Sequence, residues 1–162
     1  GLTHIEFGTE SFCDRTLEAY GKHFTFGDVV RASRLALDEG VYYAHFLILG
    51  GYGDTRENVR ETIENSRRME YTVMFPYAGM RIYPHTRLAE LAAKEGAIGR
   101  DDDLMAPSYY ISRDFDLEEV RRAALATGKA WVFPDDPQSA LADTLRLKRN
   151  KKGPLWEYLR KP

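Results

Sequence analysis

The sequence holds a single cysteine, Cys13, in 162 residues. One thiol forms no disulfide within the chain and offers no multi-cysteine metal or cluster site. It makes a reducing cytoplasm the expected compartment. Long apolar runs are missing too. The longest, Val41 to Leu49, falls far short of the roughly 20 residues a membrane-crossing helix needs. Neither sign of charge dominates: 23 Lys and Arg stand against 25 Asp and Glu, for a formal net charge of -2. That balance argues against a strong pull toward nucleic acid or an anionic membrane. The opening residues carry neither Met nor a basic-then-apolar leader, and a strand pattern starts almost at once. The expectation is an excised fragment of a longer protein.

What is present is ordinary for a globular domain: 43% hydrophobic and 30% charged residues, in a length suited to one core. The pattern is strand, helix, strand, helix, strand, helix. "THIEF" at 3–7 reads as a strand. Asp14 is placed as the cap of a short helix that Gly21 closes. Thr25 opens the next helix, with Asp28 at its third position as in a capping box. Phe26, Val29, Val30, Ala36 and Leu37 form its apolar stripe, and Gly40 ends it. "VYYAHFLIL" at 41–49 is nearly all apolar, as a strand covered on both faces should be. Asp54 and Glu57 suggest an acidic cap for a helix from 55 to about 70, with Val59, Ile63, Ser66 and Met69 inward. "TVMF" at 72–75 is a third strand, whose regular pairing Pro76 is expected to end. A helix from Thr86 to Lys94 follows.

Alternating strands and helices imply parallel strands. The expected fold is therefore α/β. After Gly96 the pattern changes: "GRDDDL" reads as a solvated loop, and Asp116 caps a helix over 117–127. "WVF" at 131–133 is short and aromatic, Asp136-Pro137 starts a helix to about 148, and "GPLWEYLR" forms a terminal helical turn.

In parallel strand–helix folds, ligands bind beyond the carboxyl ends of the strands. Three loops then matter: "FGTES" at 7–11, "GGYGDT" at 50–55 and "YAGMRIYPHT" at 77–86. The glycine loop is no Walker motif, since no Gly-Lys-Ser/Thr follows. Nor is it a dinucleotide fingerprint, because Arg56 stands where the third glycine belongs. Asp54 also puts a carboxylate where an anion would sit. The loop suits a flat or hydroxylated group lying on bare backbone.

"FLILGGYGDT" resembles the fifth-strand segment of radical S-adenosylmethionine (radical SAM) enzymes, where an apolar strand ends in Gly-x-x-Gly before an acidic or amide residue and Thr. "FGTES" resembles their fourth-strand ending and "RIYPHTRLAE" their sixth-strand loop, in the same order and spacing. The resemblance implies a half-barrel of about three parallel strand–helix units over residues 1–98, with a mostly helical extension over 99–162 packing on it. It implies that Glu10 and Ser11 reach the cofactor's ribose and Lys22 its carboxylate. Gly50 and Gly53 would form the bare turn, and Arg81 and Ile82 would offer backbone to adenine. Tyr52 and His85 depart from the Pro and Gly usual there, and Phe46 stands where some members carry a polar residue. "SYYIS" and "GPLWEYL" resemble members with an upstream cobalamin-binding domain, which would give the whole protein cobalamin besides S-adenosylmethionine and a [4Fe-4S] cluster. The family's Cys-x-x-x-Cys-x-x-Cys loop is absent, so the fragment is expected to be inactive alone. Its expected partners are the missing N-terminal half of the barrel, a small-molecule substrate and a second copy of itself. In place of the second copy, the tail with Trp131 and Trp156 could fold over the open face.

A plainer reading stands beside this one: a stand-alone α/β ligand- or partner-binding module without catalytic chemistry. On it, Glu10 simply pairs with Lys22, the glycines make a tight turn, Arg81 joins a salt bridge and His45 is a hydrogen-bonded core histidine rather than a barrel-lining group. His4, His23 and His85 lack metal-ligand spacing, so no metal site is expected.

Overall fold

The computed structural model describes residues 1–99, 102–134 and 154–162. The helix expected over 136–148 lies outside the described residues, as do Arg100 and Asp101 of the acidic loop. In chain order the elements are β1 (His4–Glu10), α1 (Asp14–Ala19), α2 (Phe26–Asp38), β2 (Tyr42–Leu49) and α3 (Arg56–Asn65). Then come β3 (Val73–Ala78), β4 (Met80–Ile82), α4 (Arg87–Lys94), β5 (Ser108–Tyr110), α5 (Leu117–Ala126) and β6 (Ala130–Trp131). A 3₁₀ turn, Ser66–Arg68, extends α3, and another, Leu155–Leu159, forms the terminal turn.

Four strands form one parallel sheet in the order β1-β2-β3-β6. The sequence led us to expect three; the fourth, β6, is only two residues long, too short for its own periodicity to mark it. Pro76 lies inside β3, paired with Leu47, rather than at the end of regular pairing. The reason is directional. Val132 N–H donates to Met74 O (2.9 Å), and alternate residues of a strand point the same way. Pro76 therefore turns its missing donor to the side where β6 has already ended.

The main core lies between the sheet and α2, α3 and α5. Leu47, Leu49, Met74, Trp131 and Phe133 from the strand side meet Phe26, Val29, Val59, Ile63, Val120 and Ala124 from the helices. Each large apolar side chain buried this way is worth about 1.5–3 kcal/mol. The opposite face carries Ala44, Val73 and Ala130, covered at one end by Trp156 and Leu159 of the terminal turn. Of the two tryptophans expected over the open face, Trp156 is there and Trp131 is on the helix side. Trp156 Nε1 also donates to Glu6 Oε1 (3.0 Å), and His4 Nε2 bonds Glu157 Oε2 (2.7 Å).

Within the segment expected to be mainly helical, β5 pairs antiparallel with β4, Ile82 opposite Ser108 and Met80 opposite Tyr110. Gly79 makes the junction from β3 to β4 with a φ of 75°, and a Cβ there would lie 2.6 Å from Tyr110 O. No helix among the described residues is long and apolar enough to cross a membrane.

Two caps differ from the sequence reading. The cap of α1 is Cys13, and Asp14 is the first helical residue, its Oδ1 accepting from Phe26 N (2.6 Å). The cap of α3 is Thr55, whose hydroxyl accepts from Asn58 N (3.2 Å). Asp54 is turned inward instead. At α2 the capping box of Thr25 and Asp28 forms in full.

Candidate functional site

Parallel pairing in the order β1-β2-β3 brings the carboxyl ends of the three motif-bearing strands to one edge of the sheet. Glu10 closes β1, Leu49 leads from β2 into Gly50, and Ala78 leads from β3 into β4. The rim is stitched by backbone bonds: Gly79 N donates to Leu49 O (2.8 Å) and Ser112 N to Gly50 O (2.8 Å).

Glu10 sits just past a shift in the β1–β2 register, with a φ of 67°. That left-handed backbone is uncommon for a residue with a Cβ and is held only where the surroundings demand it. It turns the carboxylate to Lys22, whose Nζ donates to Oε1 at 3.1 Å; the two side chains remain 24% and 28% exposed. Ser11, the next residue, is buried. Its hydroxyl is bonded to Thr62 Oγ1 (2.8 Å) and accepts from Cys13 N (3.1 Å).

What lies against the bare glycine turn is the protein itself. A Cβ on Gly50 would fall within the Phe115 side chain, and one on Gly51 against the Tyr20 hydroxyl. Asp54 completes the packing. Its carboxylate accepts from Gly50 N (2.9 Å), Thr16 Oγ1 (2.7 Å) and Tyr20 OH (3.4 Å). Burial raises its pKa above the ordinary carboxylate value, against the pull of these donors. Burial, and Asp54 beside it, push the Tyr20 phenol far up. Gly53 is exposed, with a φ of 83°, beside the Ala19 methyl.

Arg81 projects from β4 with its guanidinium over the Tyr83 ring, 4.8 Å from the centroid. Ile82 is buried in a small cluster with Ala92 and Leu104. β5 occupies one edge of β4; the other has no strand partner among the described residues.

His45 faces the helices, not the open face. It is fully buried, bonded through Nδ1 to Thr9 Oγ1 (2.7 Å) and through Nε2 to Ser33 Oγ (3.1 Å), and burial pushes its pKa down to about 3. It is a neutral core histidine. Cys13 is likewise buried.

Sequence reasoning missed the aromatic ladder on the open face. Phe46 of β2 stacks on Phe75 of β3 (centroids 5.1 Å, planes 22° apart) and on Tyr77 (6.1 Å, 15°). Strand alternation combined with the register would have found it, because Phe46 pairs with Phe75 and Ile48 with Tyr77.

Of the residues implied for S-adenosylmethionine, Glu10 and Lys22 are partly exposed on the rim and paired with each other, and Gly53 and Arg81 are exposed. Ser11, Gly50 and Ile82 have side-chain or Cα positions already filled by the fold, leaving only backbone to offer. Among the described residues, no three His, Cys, Asp or Glu side chains converge to hold a metal ion.

In parallel strand–helix sheets, ligands that bind do so beyond the carboxyl ends of the strands. Two solved structures share the fold. The chain overlays TsrM, a radical S-adenosylmethionine methyltransferase from Kitasatospora setae solved with tryptophan and a cofactor analogue. That match has a TM-score of 0.59 and 19% identity over 86% of this chain and 33% of TsrM. It also overlays the archaeal Elp3 of Methanocaldococcus infernus, with a TM-score of 0.53 and 17% identity over 81% of this chain and 29% of that one. At these identities the likeness establishes the fold. By sequence, the chain is 30% identical over 90 residues to an uncharacterised methyltransferase of Pyrococcus horikoshii, covering 52% of this chain and 20% of that protein. No family model matches. The chain thus spans a third or less of the length of each of these relatives.

Proposed function

We propose that this chain is the carboxyl-terminal part of a radical SAM enzyme barrel and contributes one side of its S-adenosylmethionine site. The observation that carries the reading is the overlay on TsrM across 86% of the chain. The three motifs gathered on one rim support it. In this reading residues 1–98 form the second half of the partial barrel and 99–162 its extension. Glu10 accepts from the ribose hydroxyls, Lys22 pairs with the carboxylate, and the backbone of Gly50, Gly53, Arg81 and Ile82 borders the adenine. Ser11 positions Glu10 by fixing the turn that follows β1. Bound with a reduced [4Fe-4S] cluster, the cofactor would supply a carbon radical; the chain's own residues bind and orient it.

Cys13 is the one thiol of the sequence and is buried, so the cluster's thiolates belong to the other half of the barrel. The chain by itself is inactive in this reading. A cobalamin domain upstream would go with methyl transfer, the activity in the names of two relatives.

The test is a titration of the 162-residue chain with S-adenosylmethionine, followed by amide NMR. Amides of Glu10, Ser11 and Lys22 are expected to shift saturably. Glu10→Gln should weaken binding by about tenfold or more, roughly 1.5–3 kcal/mol, the worth of one hydrogen bond to a charged group. Absence of shifts at residues 10–22 up to millimolar ligand overturns the reading. The same sample, treated with iron, sulfide and dithionite, should yield no 5′-deoxyadenosine beyond one per chain; multiple turnovers would refute inactivity.

A further inference from the structure

The helix side of the sheet is unevenly covered. From β1 to β2 to β3 to β6 the chain steps in one direction, and α2, α3 and α5 all pack on the same side. α2 leans over β2, where Ser33 Oγ is bonded to His45 Nε2 (3.1 Å), and away from β1. Between α2 and β1 opens a cleft of about 250 Å³. Phe7 and Thr9 of β1 and His45 of β2 form its floor, Val29 and Ala32 of α2 one wall, and Phe24 one end. The opposite wall is missing, because β1 is the edge of the sheet among the described residues.

The cleft has no polar group to spare. Thr9 and Ser33 hold the two ring nitrogens of His45, and the Asp28 carboxylate beside it is taken by Thr25 and Arg31. Among the described residues no buried side-chain N or O lacks a partner. A polar ligand would lose its water here and gain nothing, whereas apolar side chains gain by burial. The apolar surface also runs on beyond the cleft. Ile5 lies on the same face of β1 as Phe7 and is half-buried. Leu35, three residues past Ala32 on the flank of α2, is 63% exposed, and Leu2, just before β1, is 68% exposed.

The geometry of the connections names the occupant. A crossover between parallel strands is right-handed in nearly every case, and those of this chain put their helices on one side. A helix leading into β1 from a further parallel strand must lie on that side too, antiparallel to β1 and beside α2. At the usual spacing of packed helices, about 8–10 Å, it would run along the cleft. The chain spans a third or less of the length of each of its relatives, which leaves ample sequence for such a helix. We propose that the cleft is the docking groove of an amphipathic helix immediately upstream of β1 in the whole protein. Its apolar face covers Phe7, Phe24 and Leu35, and its closest approach is at Ala32, where the wall is a single methyl group. The inference rests on reading the chain as part of a larger barrel, and on nothing in the cofactor site.

The test places the photo-cross-linking amino acid p-benzoylphenylalanine at position 35 of the whole protein and maps the product by mass spectrometry. A strand–helix–strand unit takes roughly 30 residues, so the expected cross-link is to a segment within about that distance before Gly1. A cross-link to a second copy, to another protein or to nothing overturns the proposal. Leu35→Glu, which preserves helix propensity, gives a second measurement. It should lower the Tm of the whole protein by several degrees and leave that of the 162-residue chain unchanged. Equal shifts in both, or none in either, overturn the proposal as well. Neither readout involves S-adenosylmethionine. An upstream helix cross-linked to the groove, in a protein without a three-cysteine loop, would keep this inference and refute the cofactor reading.

Discussion

His45 shows how far surroundings set the chemistry of one residue. A histidine in an apolar strand offers a core partner or a pocket group, and the sequence alone leaves both open. The fold settles it by placing Thr9 and Ser33 on the two ring nitrogens. Its pKa, pushed down to about 3 by burial, ties stability to pH. Between about 6.5 and about 3 the unfolded chain binds a proton that the folded chain refuses. The stabilisation is complete above about 6.5 and falls as pH drops, by at most about 1.4 kcal/mol per pH unit. His45→Gln should remove that dependence. Urea denaturation at pH 7 and pH 5 is expected to show a larger loss for the native sequence than for His45→Gln; equal losses would contradict a neutral buried histidine.

At the scale of elements, the junction of β2 with α3 is held from outside its own sequence. Gly50 has a φ of 75°, and the Phe115 ring from the segment before α5 fills the space over it. Gly50→Ala should cost about 2–4 kcal/mol, combining left-handed strain with overpacking. Phe115→Ala in the same chain should recover part of the loss, as sites in contact couple. Thermal melts of the two single variants and the double one measure this; strict additivity would mean the ring is not what excludes the methyl. Short apolar runs made β1, β2 and β3 legible and helical periodicity the helices, because the strands bury apolar residues and each helix buries one regular face. The caps were half legible. Thr25 with Asp28 was found because the box is local, but Asp54 was mistaken for the cap because its carboxylate is claimed by Thr16 and Tyr20, 38 and 34 residues earlier. The β4–β5 pair was illegible: three-residue strands whose partners lie 26 to 30 residues apart leave no periodicity to read. At the rim, Glu10 and Lys22 were legible as a pair. The covering of Gly50 was not, since nothing near it in sequence names Phe115.

For the whole molecule, the sheet order leaves β1 at an edge among the described residues, with backbone groups able to recruit another chain. Trp156 and Leu159 already cover part of the open face, so the expected contact between copies is the β1 edge. We expect a two-fold dimer, the commonest closed arrangement. Sedimentation equilibrium over a dilution series checks this; one species of 18.6 kDa at every concentration would rule it out. If the chain is half of a barrel as proposed, the other half supplied in trans should compete with that dimer, because both would need the same edge.

The bond from Trp156 to Glu6 spans 150 residues. At about 5–20 residues per second, a ribosome needs roughly 8–30 s to travel that distance. For about the second half of that time, once β3 has ended at Ala78, β1, β2 and β3 have been made while the turn that roofs Ala44 and Val73 has not. The nascent sheet must wait with one apolar face and one strand edge unprotected, the condition in which chains aggregate or engage chaperones. The order of synthesis is the reverse of the order in which that face needs its cover.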